Sequence, residues 1–354
     1  MKNKLKLNIL WIFKWFIFIF IFAVLFIHIS YLFRPAINDR EIVAGYYAEK
    51  ENSLDMVYVG GSSTFVYWAP MEAWKNHGIV SNNFAYNSIS ADALKSTIKE
   101  ALKTQNPDLL VVDARAFQYR GEYLEEGPIR QYTDSTKYSL NRSDFIRSIV
   151  PEKFKNMQLS SLEWICDLST YHIRWNQLDQ SSWELINNEK ERDIKGFYFV
   201  PKKKVIALND NSNVTEKQPL RQDVEEIFID LMEYCKSLDR KILFVINTYS
   251  EEPSHREIFN YLEERINSYG FDFINVNESY KKIGMDETND YYDQNHINIY
   301  GAEKYTKFLG DYIMETYKLK DRRNDLEYKH WNDLLPNWNQ QVKDNKLAID
   351  NYVE

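Results

Sequence analysis

Short apolar runs that alternate with amphipathic stretches set the strongest limit on what this chain can fold into. "DMVYVG" (55–60), "VSNNFAY" (80–86), "DLLVVDA" (108–114), "KILFVINT" (241–248) and "DFINV" (272–276) read as strands. Between and after them come helical stretches, "PMEAWKNHG" (70–78), "ADALKSTIKEALKTQ" (91–105), "RQDVEEIFIDLMEYCKSL" (221–238), "REIFNYLEERINSYG" (256–270) and "GAEKYTKFLGDYIMETY" (301–317). The second of these carries Ala91, Leu94, Ile98 and Leu102 on one stripe, and Gly78 stops the first. "DLLVVDA" is apolar without alternation, as strands buried on both faces of a parallel sheet are. The expectation is an α/β fold built on a five-stranded parallel, doubly wound, flavodoxin-like sheet. The rhythm stops at about residue 117 and resumes after 215, so the segment 117–215, polar and rich in aromatics, is expected to be a helical insertion. The charged, Trp-bearing tail 321–354 reads as a helical extension on a domain covering 37–320.

Ahead of that domain, Trp15 to Phe33 contains no Asp, Glu, Lys or Arg. About 19 residues at 1.5 Å rise span roughly 28 Å, close to a bilayer core. A core helix would show polar positions every third or fourth residue, and none falls between Trp15 and Ile27; a cleavable signal would be followed by a small-x-small site, and none is. Residues 1–36 are therefore expected to be a cytoplasmic stub and a single uncleaved transmembrane anchor. Lys2, Lys4, Lys6 and Lys14 precede the run and only Arg34 follows closely, which places the N-terminus in the cytoplasm and the rest of the chain outside the cell membrane.

Composition removes several function classes. The net charge of −8, with no large basic cluster, argues against nucleic acid as a partner. No HExxH, paired-Cys or Asp-rich loop is present, so neither a metal nor any other cofactor is expected, and no GxGxxG or GxxxxGK[ST] follows the first strand to hold a nucleotide. Cys166 and Cys235 lack the short spacing of a framework and are expected to be free and buried, one disulfide being the alternative.

Chemistry is concentrated at two places. The first strand runs into Gly60-Gly61-Ser62-Ser63-Thr64. In an open parallel sheet the site lies at the C-terminal strand ends, and a serine in that turn presents its hydroxyl at the edge and its backbone N–H toward a developing oxyanion. The glycines allow the tight turn and close approach of substrate. Ser62 is the expected nucleophile because Gly60 directly closes the strand; Gly61-Ser62-Ser63 would instead select Ser63. The second place is the loop before the last helix, where Asp293 and His296 stand three apart. A carboxylate on one imidazole nitrogen leaves the other free to take a proton from a hydroxyl.

Gly60-Gly61-Ser62 after strand 1 together with Asp293 to His296 before the final helix resembles the SGNH/GDSL hydrolases over roughly residues 50–120 and 220–318. With the anchor and the insertion, the chain is similar to membrane-tethered Firmicute members, and distantly to the D-alanyl-lipoteichoic acid transfer protein and alginate O-acetylation proteins. The resemblance implies a serine esterase or O-acyltransferase with Ser62, His296 and Asp293 as its triad. Its substrate would be an acylated glycan or envelope polymer, with a membrane-bound acyltransferase as a further partner. It also implies an oxyanion and substrate-binding group around Gly61. The family's Gly-x-Asn-Asp block is replaced after strand 3 by "VVDARAFQYR", so the amide donor would be Asn87, or a guanidinium, Arg115, would take its place unless it pairs with Asp113. That departure also leaves open an inactive SGNH-fold module that binds envelope glycan or a membrane acyltransferase. In the insertion, Arg130, Asp134, Asn141 and Arg142, and His172 with Arg174, would either line a substrate groove or hold a lid together by their own salt bridges.

Overall fold

The computed structural model describes residues 2–35, 38–118, 126–153, 161–180, 182–183 and 192–353. Two compact units make up the chain: Met1–Ile37 with Lys137–Glu189, and Asn38–Thr136 with Lys190–Glu354.

The second unit holds the sheet. β1 (Met56–Gly60), β2 (Ser81–Ala85), β3 (Leu109–Asp113), β4 (Lys241–Ile246) and β5 (Asp272–Asn275) are all parallel, in the order β2-β1-β3-β4-β5. Every residue of β1, β2 and β3 is buried; β1 and β3 accordingly run largely apolar without alternation, whereas β2 buries Ser81, Asn82 and Asn83. From β1 the chain steps one way to β2, then back across to β3, β4 and β5. Right-handed crossovers send the helices of these two directions to opposite faces. α4 (Pro70–His77) follows β1 and packs with the last two helices, α13 (Ile299–Tyr317) and α14 (Lys329–Asp350), through His77–Asp311 at 2.8 Å and the Trp74–Trp331 ring pair at 5.5 Å. α5 (Ala91–Ala101), α10 (Gln222–Lys236) and α11 (Pro253–Ser268) form the other layer, with Lys95 on Asp230 at 2.6 Å and Arg265 on Glu225 at 2.7 Å. The reversal between β1 and β3 is the switch point at which doubly wound sheets bind ligands.

Several boundaries differ from expectation for visible reasons. The last sheet-covering helix begins at Ile299 rather than 301 because the Asn298 side chain caps it, accepting from Tyr300 N–H at 3.0 Å. The tail helix α14 is more than a surface appendage: Trp331, Trp338 and Ile349 are buried, and Trp338 Nε1 donates to Glu72 at 2.8 Å. The expected insertion divides. α6 (Glu126–Ser135) and residues 192–215 belong to the sheet unit, and α7 (Leu140–Lys153), α8 (Ser161–Ile165) and α9 (Asp167–Tyr171) belong with the N-terminal helix. Residues 119–125, 154–160 and 184–191 of that stretch lie outside the described residues. Both cysteines are free, but only Cys235 is buried; Cys166 is half-buried.

In the first unit α1 (Lys2–Phe33) is long and apolar enough to cross a membrane. Its surface is exposed from Ile9 to Leu25 and becomes partly covered from Phe26 onward, where α9 and the 3₁₀ turn His172–Asn176 pack against it. Just past its end the fully buried Asp167 accepts from Arg34 Nε at 2.6 Å, Arg142 at 2.8 Å and Tyr138 Oη at 2.5 Å.

Candidate active site

Gly60 ends β1 in contact that no other residue would allow: a Cβ there would lie 2.2 Å from Thr64 Oγ1 and 2.4 Å from Asp113 Cβ. The chain turns at Gly61 and enters the short helix α3 (Ser62–Tyr67), with Thr64 N–H donating to Gly61 C=O at 2.9 Å. Ser62 and Ser63 open this helix, so their N–H groups have no partner within it. The two hydroxyls diverge. Ser63 is buried and its Oγ donates to Asp113, whereas half-buried Ser62 directs its Oγ to His296 Nε2 at 2.7 Å.

Asp113 organises the turn from the end of the neighbouring strand. Besides Ser63 it accepts the backbone N–H of Arg115 at 2.9 Å. Burial pushes its carboxyl above the usual range, opposed by the Ser63 bond, the Arg115 amide and charge, and the nearby Gly61 amide.

The other half of the site is a small hairpin. β6 (Tyr291–Asp293) and β7 (His296–Ile297) pair antiparallel with Asp293 opposite His296, so Asp-x-x-His is two facing residues joined by a two-residue turn, Gln294-Asn295. That register brings His296 Nδ1 to 2.9 and 3.0 Å from the two oxygens of Asp293, and Tyr292 stacks on the imidazole with centroids 5.3 Å apart. Burial raises the Asp293 carboxyl, but the His296 bond and charge and the amides of Asn295 and His296 outweigh it and leave it below its usual value.

The turn of this hairpin is held from three directions through its peptide oxygens. Ser250 N–H, after β4, donates to Gln294 C=O at 3.0 Å. Tyr67 Oη, from α3, donates between the carbonyls of Thr248 and Asn295, the latter at 3.1 Å, and Arg115, after β3, donates to the Asn295 carbonyl at 3.1 Å and to Asn295 Oδ1 at 2.6 Å. The Arg115 guanidinium also lies 3.7 Å from the centroid of the Tyr249 ring.

Ser62, His296 and Asp293 thus come together as one relay of a hydroxyl, an imidazole and a carboxylate. The remaining candidates fall differently. Gly61 offers the site close approach: a Cβ there would stand 3.1 Å from Ile89 Cγ2. Arg115 was expected either at the oxyanion or on the Asp113 carboxylate; its guanidinium is on Asn295 instead, one residue from the imidazole. Asn87 is half-buried in the turn after β2, which lies against the Ser62 turn through Tyr86 N–H on Gly60 C=O at 3.1 Å. In the former insertion, Arg142 goes to Asp167 and to the Trp164 carbonyl at 3.1 Å, Arg174 to the Phe33 carbonyl at 2.7 Å, and His172 to carbonyls of its own helix. Arg130 pairs with Glu126 at 3.4 Å, and Asp134 accepts from Thr133.

From the sequence Asp113 stood only as a possible partner of Arg115, and Asn295 and Tyr67 were not singled out. A carboxylate closing an otherwise apolar buried strand beside β1 was the available signal for Asp113; nothing in the sequence marks the other two. A second imidazole, His255, sits at the same sheet edge against Gln118 and Tyr249, and burial followed by the Arg115 charge lowers its pKa. Among the described residues, no group of three His, Cys, Asp or Glu side chains is placed to hold a metal. No family model matches the chain, and no curated protein is significantly similar to it.

Proposed function

We propose that this protein is an SGNH-type serine esterase or O-acyltransferase, anchored in the cell membrane by α1 with its catalytic domain outside. The observation that carries the reading is the relay itself, Ser62 Oγ to His296 Nε2 at 2.7 Å and His296 Nδ1 to Asp293 at 2.9 Å. In this mechanism Ser62 Oγ attacks an acyl carbonyl while His296 takes its proton, and the tetrahedral oxyanion is met by the Ser62 N–H. His296 then returns the proton to the leaving alcohol, and the acyl-enzyme is released to water or to a glycan hydroxyl. Asp293 fixes the tautomer and stabilises the imidazolium. Asn87 is the side-chain amide we assign as second oxyanion donor, since Arg115 is engaged at Asn295. An anchor followed by a domain at the outer surface suits an acylated envelope glycan or polymer as substrate, with a membrane-bound acyltransferase as the source of acyl groups in the transferase case.

One observation favours a second reading, a non-catalytic glycan- or acyltransferase-binding module: the strand-3 loop offers Asp113 and Arg115 where the resembled family has its Asn. Labelling of the full-length protein with a fluorophosphonate separates the two. Wild type and Ser63→Ala are expected to label, and Ser62→Ala and His296→Ala to lose labelling. Undiminished labelling of Ser62→Ala would remove Ser62 as nucleophile, and a folded wild type that never labels would favour the binding module.

A further inference from the structure

The 3₁₀ turn His172–Asn176 sits where α1 stops being bare. α1 carries no Asp, Glu, Lys or Arg from Trp15 to Phe33, about 19 residues and roughly 28 Å at 1.5 Å per residue, close to the ~30 Å of a bilayer core, so its C-terminal end falls at the boundary between acyl chains and headgroups. From Phe26 to Phe33 the helix is partly covered. The 3₁₀ turn packs on that end. Arg174 donates to the carbonyl of Phe33 at 2.7 Å, satisfying one of the acceptors a helix C-terminus leaves open and setting a cation at its negative end. The residues on either side of Arg174 point away from the protein: Ile173 is 65 % exposed and Trp175 71 %. Tyr31 and Tyr138 stack at 5.2 Å beside the same helix end.

An isoleucine and a tryptophan left in water next to the emerging end of an apolar helix lack any protein cover among the described residues. Continuity with α1 supplies one. Tryptophan favours this depth because its ring is apolar while its indole N–H keeps a polar partner. We propose that the turn His172–Asn176 is a membrane foot, with Ile173 and Trp175 inserted among the headgroups and upper acyl chains of the leaflet from which α1 emerges. The bond from Arg174 to Phe33 fixes the foot to the helix, so that anchor and foot hold the first unit at two points. This restricts the tilt and rotation that a single helix alone would leave free.

The proposal rests on α1 spanning the bilayer, and the test reads both. The full-length protein is reconstituted in phosphatidylcholine–phosphatidylglycerol vesicles and spin-labelled at single cysteines, Ile173→Cys, Trp175→Cys and, in mid-helix, Ile19→Cys. Only Cys166 needs replacing beforehand (Cys166→Ser), because burial pushes the Cys235 thiol up to about 12 and hides it from reagent. Oxygen and a water-soluble nickel chelate report depth, calibrated with lipids labelled at headgroup and acyl carbons. Labels at 173 and 175 are expected at headgroup to upper-chain depth, with an oxygen-to-nickel accessibility ratio several-fold above the aqueous limit, and the label at 19 deep in the hydrocarbon. A deep label at 19 with aqueous labels at 173 and 175 overturns the foot and leaves the anchor standing. An aqueous label at 19 overturns the anchor and the foot together. Labels at 173 and 175 shielded from both relaxants would mean that protein covers the turn, which also overturns the proposal.

Discussion

At the scale of single residues, neighbouring serines with different partners divide the work of the β1 turn. Ser63 is spent on Asp113, and only Ser62 meets an imidazole. Ser63→Ala is therefore expected to keep reactivity toward acyl reagents while losing about 1–3 kcal/mol of stability, since a buried carboxylate loses a donor; equilibrium denaturation beside labelling kinetics reads both. Asp293→Asn is expected to lower kcat by roughly 10²–10⁴-fold with a fluorogenic ester, because the amide no longer selects the imidazole tautomer. The same substitution has a pH signature. The Asp293 carboxyl is held below its usual value in the fold, so its stabilising contribution is complete above the unfolded carboxyl's pKa of about 3.9 and disappears as pH falls through the lower folded value. The Tm gap between wild type and Asp293→Asn should accordingly be widest at neutral pH and close in acid. A gap that stays constant down to acid would mean that the His296–Asp293 contact contributes nothing in the ionised form.

At the scale of elements, the site is a meeting of a strand-to-helix turn with a two-residue hairpin, and the hairpin is the part least able to hold itself. A three-residue strand paired with a two-residue strand is not stable alone; it depends on Ser250, Tyr67 and Arg115 gripping its turn. On the proposed reading Arg115 is a positioning residue. Arg115→Ala is expected to lower kcat by about 10²-fold with little change in KM, as a displacement of about 1 Å at the imidazole would. Arg115→Lys is expected to recover little, because an ammonium cannot fork to the carbonyl and the side-chain oxygen of Asn295 together. Equal kcat in all three proteins would mean the grip is ornamental. These elements were unevenly visible in the sequence. β1, β3 and β4 could be read because these buried parallel strands are continuous apolar runs, and the start of α13 was displaced by two residues only because Asn298 caps it. The hairpin was read as a loop, since five strand residues, four of them paired, around Gln-Asn carry neither alternation nor a favoured turn pair. Its Asp and His were found through their chemical type, whereas the peptide oxygens of Gln294 and Asn295 that fix it have no sequence signal at all.

At the scale of the whole molecule, the long excursion between β3 and β4 was visible as an interruption, but its allegiance was not. Helices of five residues such as α8 and α9 are too short to show periodicity, and the tie that assigns them to α1 is a buried charge. Asp167 is fully buried between Arg34, Arg142 and Tyr138. Removing it leaves two buried guanidinium groups facing each other without their carboxylate, a loss of about 3–5 kcal/mol where a buried pair is broken from one side. The sheet unit has its own core, from Val57 and Leu110 in the strands to Leu231 and Leu309 in the helices, and contains all three residues of the relay. Asp167→Ala in the full-length, membrane-reconstituted protein should therefore speed hydrogen exchange of the amides in α8, α9 and the turn His172–Asn176 by orders of magnitude. Exchange in β1, β3 and β4 should stay unchanged, and so should fluorophosphonate labelling of Ser62. If the strands lost protection in step with α8 and α9, the two units would unfold as one, and Asp167 would be holding up the sheet unit as well as the end of α1.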